Sequence, residues 1–351
     1  LAAKTLGNGY TLTADGAAPA ANAVSASAAA PAQNAPSTQE TADLHIGVLN
    51  GPTGIPVAYL CEHAPDLGGA TARFEVFADA SAELPKLIKG EVDIGVLPAN
   101  AAAKVYSANN GAIVALGIAG NGNLFVLTDD AALSSLSDLR GKTVTCAGAG
   151  ATPEYLFRAV LASHGMGAAL AADAAADGEA VRLDFSVPNA DIAALLVSKK
   201  IHYALLPEPF ASVAEVKGEG IRRAVSLQDE YAAIAREAGR AAETYPITLL
   251  VANARFAAAN KALVASYTRA YAASVAWTVA HPAEAGALVE KHTLGLQAPI
   301  AARAIPNGGY TWVPAKDARA QIEALLSLFL SQSPASIGGV LPADGFYFSA
   351  E

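Results

Sequence analysis

The sequence predicts an α/β protein of two lobes, each a mostly parallel sheet flanked by helices, with two strands crossing between them. Three observations carry that expectation. Short apolar runs alternate with helix-spaced stretches from Leu44 onward, the pattern of strands covered by helices. A weak internal repeat superposes EVDIGVLPANAAAKVY (Glu91 to Tyr106) on KIHYALLPEPFASVAE (Lys200 to Glu215). In each copy a charged residue leads an apolar strand, a Leu-Pro corner and a helix start, so each lobe would offer one corner to a shared crevice. Passages between the lobes are expected near Asn121–Asp130 and Glu243–Leu250. The domains are therefore drawn as a leader over 1–43, one lobe from 44–123 with 245–351, and a second over 124–244.

The elements follow in order. LHIGVLN (Leu44 to Asn50) is a strand ending in GPTG, and Ile55 to His63 has helical spacing. ARFEVFAD alternates as a strand. SAELPKLIKG reads as a short helix with Ser81 as N-cap and Gly90 as stop. VDIGVLPAN is a strand with a Pro-Ala-Asn corner, followed by a helix through Tyr106. GAIVALGIAG and NLFVLTDD are strands, SLSDLRGK a short helix and TVTCAGAG a strand. TPEYLFRAVLASHG is a helix with Thr152 as N-cap, Pro153 at its first turn and Gly165 as stop. Ala168 to Glu179 reads as a solvated helix or loop. VRLDFSV is a strand, Asn189 to Ser198 a helix, IHYALLP a strand and YPITLLVANARF a strand returning to the first lobe. Leu263, Tyr267, Tyr271 and Val275 recur every four residues along a helix over 261–280. Helical stretches over 283–292 and 315–331 complete the ordered part.

Composition excludes several classes. A net charge of -9 over 351 residues, with no run of four basic residues, argues against nucleic acid or an anionic membrane face as partner. The most apolar stretch, Ala112 to Ala119, is far short of the roughly 20 residues of a spanning helix. Cys61 and Cys146 lie far apart without metal-type spacing and read as buried free thiols. The six histidines form no HxH or HxxxH set, and neither a CxxC nor a GxSxG elbow occurs, so no metal, cofactor or catalytic set is expected. Gly16 to Gln39 contains no charged residue and little that could form a core, and reads as a flexible leader. As a coil, about 40 residues span about 35 Å, the reach of a membrane tether.

In open sheets ligands sit beyond the carboxyl ends of the strands. The loops there supply the candidate ligand-binding residues: Pro52, Thr53, Gly54, Pro98, Asn100, Asn121, Asn123, Gly150, Ala151, Thr152, Glu208 and Phe210. Backbone amides at Thr53-Gly54 and Ala151-Thr152 can hold a negative atom at a helix start, and Thr152 can equally cap its own helix. The turn GAGAT lacks the Lys of a phosphate loop. The three Asn side chains can bind a polar ligand or serve local turns. Glu208, between two prolines, can meet a ligand amine or ring N–H, brace the partner lobe, cap a helix or stand exposed.

Taken in order, VDIGVLPAN, DLRGKTV, the Gly-rich turn, IHYALLPEPFAS and SPASIGGVLPADGFYF resemble the NMT1/THI5-like, nitrate/sulfonate/taurine-type solute-binding proteins of ABC importers. The resemblance spans about Leu44 to Phe348. It implies a type II periplasmic-binding-protein fold, with the loops at Pro52–Gly54, Pro98–Asn100, Gly150–Thr152 and Glu208 facing the ligand. It also implies a monomer outside the cytoplasmic membrane, with the leader open to lipid anchoring, that serves a permease and ATPase and performs no catalysis. The candidate loops contain no Arg or Lys, which favours a neutral or partly cationic organic ligand, such as a heterocycle. The Cys-rich signature of the thiamin-pyrimidine enzyme branch is absent. An enzyme on the same fold and a ligand-sensing domain are the competing expectations.

Overall fold

The computed structural model describes residues 4–6, 10–12, 43–173, 178–240 and 242–350. In chain order the strands are β1 (Lys4–Leu6), β2 (Tyr10–Leu12), β3 (Asp43–Leu49), β4 (Thr71–Phe77), β5 (Ile94–Pro98), β6 (Ile113–Asn121) and β7 (Leu124–Thr128). They continue with β8 (Thr143–Cys146), β9 (Ala168–Leu170), β10 (Val181–Asp184), β11 (Tyr203–Pro207), β12 (Arg222–Ser226), β13 (Pro246–Asn253) and β14 (Tyr310–Pro314). Apart from Asp43 and the antiparallel pair β1–β2, the expected leader lies outside the described residues.

Two six-stranded sheets form the body, ordered β14-β6-β13-β5-β3-β4 and β12-β7-β11-β8-β10-β9. The sheets are mixed. β3, β4 and β5 pair in parallel, as do β8, β9, β10 and β11. β13 runs antiparallel to β5 in the first sheet, and β7 antiparallel to β11 in the second. These two antiparallel strands are the ones that enter each sheet from the other. The internal repeat thus falls on equivalent positions, because β5 and β11 each lie between a parallel neighbour and an entering strand.

The passages between sheets touch one another. A Cβ on Gly122, between β6 and β7, would stand 2.7 Å from the Tyr245 ring and 2.4 Å from Gln228 Oε1, so only glycine fits. Tyr245, just before β13, is fully buried and meets Tyr231 edge to face at 5.4 Å. Gln321, on the helix Ala315–Gln332, donates to Asn121 Oδ1 at 2.9 Å and to Thr244 Oγ1, tying both passages to one amide.

Several local expectations change. Asp79, not Ser81, caps the helix Ala80–Lys89: its carboxylate accepts from the amides of Ser81 at 2.8 Å and Ala82 at 3.2 Å. The stretch after Gly167 opens with the short strand β9 in place of a helix or loop, because Ala168–Leu170 finds parallel partners in β10; residues 174–177 lie outside the described residues. β12, β14 and the helix Ala298–Ala304 have no counterpart in the sequence reading. Cys61 and Cys146 are free and buried, and burial pushes the Cys61 thiol up to about 12.

One buried acid sits in the first sheet. β3 and β5 pair only at Ile46 with Ile94, and beyond that point the Glu83 carboxyl fills the breach. Its Oε1 accepts from Val96 N at 3.2 Å, while a Cβ on Gly47 or Gly95 would lie 2.2 or 2.3 Å from that oxygen. Glycine in both strands makes the room. Burial raises the Glu83 pKa from 4.5 to about 8, so the folded state holds this proton more tightly than the unfolded chain. Its contribution to stability is therefore present below the unfolded value and is lost as pH rises through about 8. Thermal melts between pH 5 and pH 9 should show the unaltered protein losing ground to Glu83→Gln as pH rises; a constant gap between the two would refute the assignment.

Candidate functional site

The carboxyl ends of β3, β5, β6 and β11 and the entering strands β7 and β13 meet around one cavity of about 230 Å³. From the first sheet's side it is walled by Pro52, Thr53, Pro56, Val96, Ala119, Gly120, Asn121, Ile247, Thr248 and Tyr310. Tyr271 reaches it from the helix Lys261–Ala280, its ring set against Trp312 at 5.5 Å. The second sheet contributes Asn123, Leu124, Pro207, Glu208 and Phe210, with Pro153 from the helix Thr152–Ser163. Apolar and aromatic surface dominates, as small-molecule sites require.

Six of the twelve candidate residues line the cavity: Pro52, Thr53, Asn121, Asn123, Glu208 and Phe210. Pro98 stands one step behind the wall, paired with the lining Thr248 across β5–β13. Asn100 follows it, buried, with no hydrogen-bond partner for Oδ1. Gly54 does not line the cavity, and a Cβ there would lie 2.9 Å from Leu294 Cβ. Gly150, Ala151 and Thr152 stand just before the lining Pro153.

Several of these groups are already engaged. Thr53 Oγ1 accepts from Leu49 N at 2.7 Å and donates to Leu49 O at 2.9 Å, which closes the loop after β3. Asn121 Oδ1 serves the Gln321 tie. In the glycine turn, Gly148 N donates to Asn189 Oδ1 at 3.1 Å and Gly150 N to Glu154 Oε2 at 2.8 Å, while Ala151 N bonds back to Gly148 O at 3.1 Å. Three amides of the turn are thus engaged by the protein's own groups, and Glu154 brings an acid to the helix start. Ala151, not Thr152, occupies the N-cap position, and no side chain caps that helix. Thr152 Oγ1 is left buried without a partner.

Glu208 is 2 % exposed and deeply committed. Its Oε2 accepts from Ser212 N at 3.1 Å, which caps the helix Phe210–Lys217, and its Oε1 accepts from Ser212 Oγ at 3.1 Å. Arg223 Nη2 reaches Oε1 at 2.5 Å, with its guanidinium over the Phe125 ring at 4.7 Å. Burial pushes the Glu208 carboxyl above its usual range, against the pull of Arg223 and Ser212. Arg223 also contacts Glu215 Oε2 at 3.2 Å, and Arg303 reaches the same oxygen at 3.2 Å from the first sheet's side. A chain of alternating charges thus runs from the cavity wall to the other lobe. Its two acids and two bases balance.

Arg223 and Tyr310 are two of the residues at the site that sequence reasoning misses. Both lie on strands it does not find, and the signal available for Arg223 was the alternation of RRAVS before the helix Leu227–Glu237.

A family model described as the NMT1-like family matches residues 28–291. No curated protein sequence matches the chain. Among solved structures, an ABC transporter protein from Parabacteroides distasonis is 23% identical with a TM-score of 0.73, covering 89% of this chain and 100% of its own. The periplasmic aliphatic sulphonate binding protein SsuA from Escherichia coli is 18% identical at a TM-score of 0.60, covering 83% of this chain and 87% of its own. The alkanesulfonate-binding protein SsuA from Xanthomonas axonopodis pv. citri, bound to MOPS, is 16% identical at 0.58, covering 87% and 96%. At these identities the likeness shows the fold.

Removing one partner of a buried ion pair strands the other charge, which costs about 3–5 kcal/mol. Arg223→Met should lower unfolding free energy by that order in urea titrations, and Glu208→Leu combined with Arg223→Met should recover much of the loss. A single variant as stable as the unaltered protein would show that the pair does not form. With its family model covering most of the sequence and its two-sheet fold shared with periplasmic binding proteins, the chain belongs to the NMT1-like family.

Proposed function

We propose that this protein is the solute-binding subunit of an ABC importer, holding a small organic molecule between its lobes and delivering it to a permease driven by an ATPase. One observation carries the reading: the cavity is walled by strand ends from both sheets, directly above the tied passages Asn121–Leu124 and Thr244–Pro246. A site built from two bodies joined by two strands changes shape when they rotate, and a ligand touching both favours closure. The binding-protein relatives support the same reading.

Among the described residues no helix is long and apolar enough to cross a membrane. On this reading the protein works as a monomer outside the cytoplasmic membrane, and residues 1–43, with their uncharged stretch from Gly16 to Gln39, act as a tether that a lipid can anchor. The ligand is bound and released unchanged. Domain limits at 44–123 with 245–351, and 124–244, place both passages at the joints.

Arg303 is 53% exposed, so its contact with Glu215 is worth no more than about 1 kcal/mol, or about fivefold in affinity. Arg303→Ala should therefore speed ligand release modestly and leave the compaction seen by X-ray scattering on binding intact. An unchanged radius of gyration with ligand bound would refute lobe closure. Chemical conversion of a bound molecule by the purified protein would refute the transport reading itself.

A further inference from the structure

Resting on the binding-protein reading, we propose that the cleft takes an uncharged, ring-sized molecule whose N–H or O–H groups are received by the amide oxygens of Asn123 and Asn100, and that it excludes sulfonates and carboxylates. The wall supplies no counter-charge for an anion: no Lys, Arg or His is among the residues lining the cavity. The charged residue on the wall is an acid, Glu208, and it occupies the start of its own helix through Ser212 N. In the glycine turn the amides of Gly148 and Gly150 already donate to Asn189 and Glu154, and Glu154 sets an acid against the start of the helix Thr152–Ser163. A sulfonate entering this space would lose its water and gain nothing of opposite sign.

A cation fares no better. Glu208 is matched by Arg223, and the further charges Glu215 and Arg303 cancel in turn. The wall therefore presents balanced charge to whatever it encloses.

What the site does leave open is hydrogen bonding. Asn123 Oδ1 on the wall, Asn100 Oδ1 two residues past Pro98, which pairs with the lining Thr248, and Thr152 Oγ1 next to the lining Pro153 are buried without partners. Buried polar atoms in a native fold are almost always paired, so a cluster of orphans beside a cavity points to a partner that arrives with the ligand. Two of the three are carbonyl-type acceptors, which need a donor. Size narrows the class further. A cavity of about 150 Å³ accommodates benzene, and 230 Å³ exceeds that by about half. That suits one substituted ring or a small fused pair, set among Tyr271, Tyr310, Phe210 and the flat faces of prolines.

The test uses the full chain and matched probes in saturation-transfer NMR: 2-pyridone, N-methyl-2-pyridone and a pyridone carboxylate; indole, 1-methylindole and indole-2-carboxylate; and ethanesulfonate. The donor-bearing uncharged member of at least one trio should bind, its methylated match about tenfold more weakly, and the anions not at all. Asn123→Leu should erase the difference between donor-bearing and methylated members; if that variant misfolds, the comparison on the unaltered protein still decides. Carboxylate or sulfonate binding as tight as the uncharged match overturns the ligand class and leaves the binding-protein reading standing. Equal binding of methylated and unmethylated members overturns the role given to the Asn oxygens. Failure of every probe, charged or not, overturns the ligand class, while the binding-protein reading stands or falls by the scattering and turnover tests given for it.

Discussion

Everything in this molecule is arranged around the close passage of two chain segments, Asn121–Asn123 and Thr244–Tyr245, beneath the cleft. Gly122 is where the approach is closest, since any side chain there would enter the Tyr245 ring. The Gln321 amide holds both passages at once, so the two connections are constrained as one joint and not as two independent linkers. Such a joint permits rotation about itself while resisting separation. The strand ends of both sheets converge immediately above it, which places the cavity where a small rotation changes the wall spacing most.

The charge chain Glu208–Arg223–Glu215–Arg303 complements that joint. Its buried end is rigid because the Glu208–Arg223 pair and the Ser212 cap are all but shielded from solvent, where electrostatics are strong and unpairing is severe. Its outer end, at half-exposed Arg303, is weak and easily exchanged with water. A strong contact within one lobe grading into a weak one across the gap lets the lobes part without dismantling the wall. The gradient in burial, from 0% at the Glu208 side chain to 53% at Arg303, sets which contact yields first.

Much of this architecture was legible in the sequence, and the reasons are local. Apolar runs such as DLHIGVL and ITLLVAN announce buried strands, and the Leu-Pro repeat locates matching positions in both sheets. What stayed hidden depends on partners distant in sequence. β9 is three residues of Ala and Leu that become a strand only beside β10. β14 carries the large cavity-lining Tyr310, yet its five residues show burial on neither face alone. Arg223 looks like an ordinary surface base until the fold sets it against Glu208 and Phe125. Glu208 could be singled out as unusual from its two flanking prolines, but which of its open roles it fills was decided by Ser212 and Arg223.

The same distinction bears on how a binding protein acquires its ligand preference. Fold-determining signals, the periodicities and corners, fix where a cleft lies and so recur across relatives that hold sulfonates. Preference resides in which polar atoms the fold leaves unanswered. Here Gly148 and Gly150 of the glycine turn give their amides to Asn189 and Glu154, and the acid on the wall is answered by Arg223. Asn123, Asn100 and Thr152 are not answered. A Glu four residues downstream of a turn glycine takes up one turn amide and sets a negative charge at the helix start without altering any strand, so a change in a few polar groups can retune a site that the scaffold leaves in place.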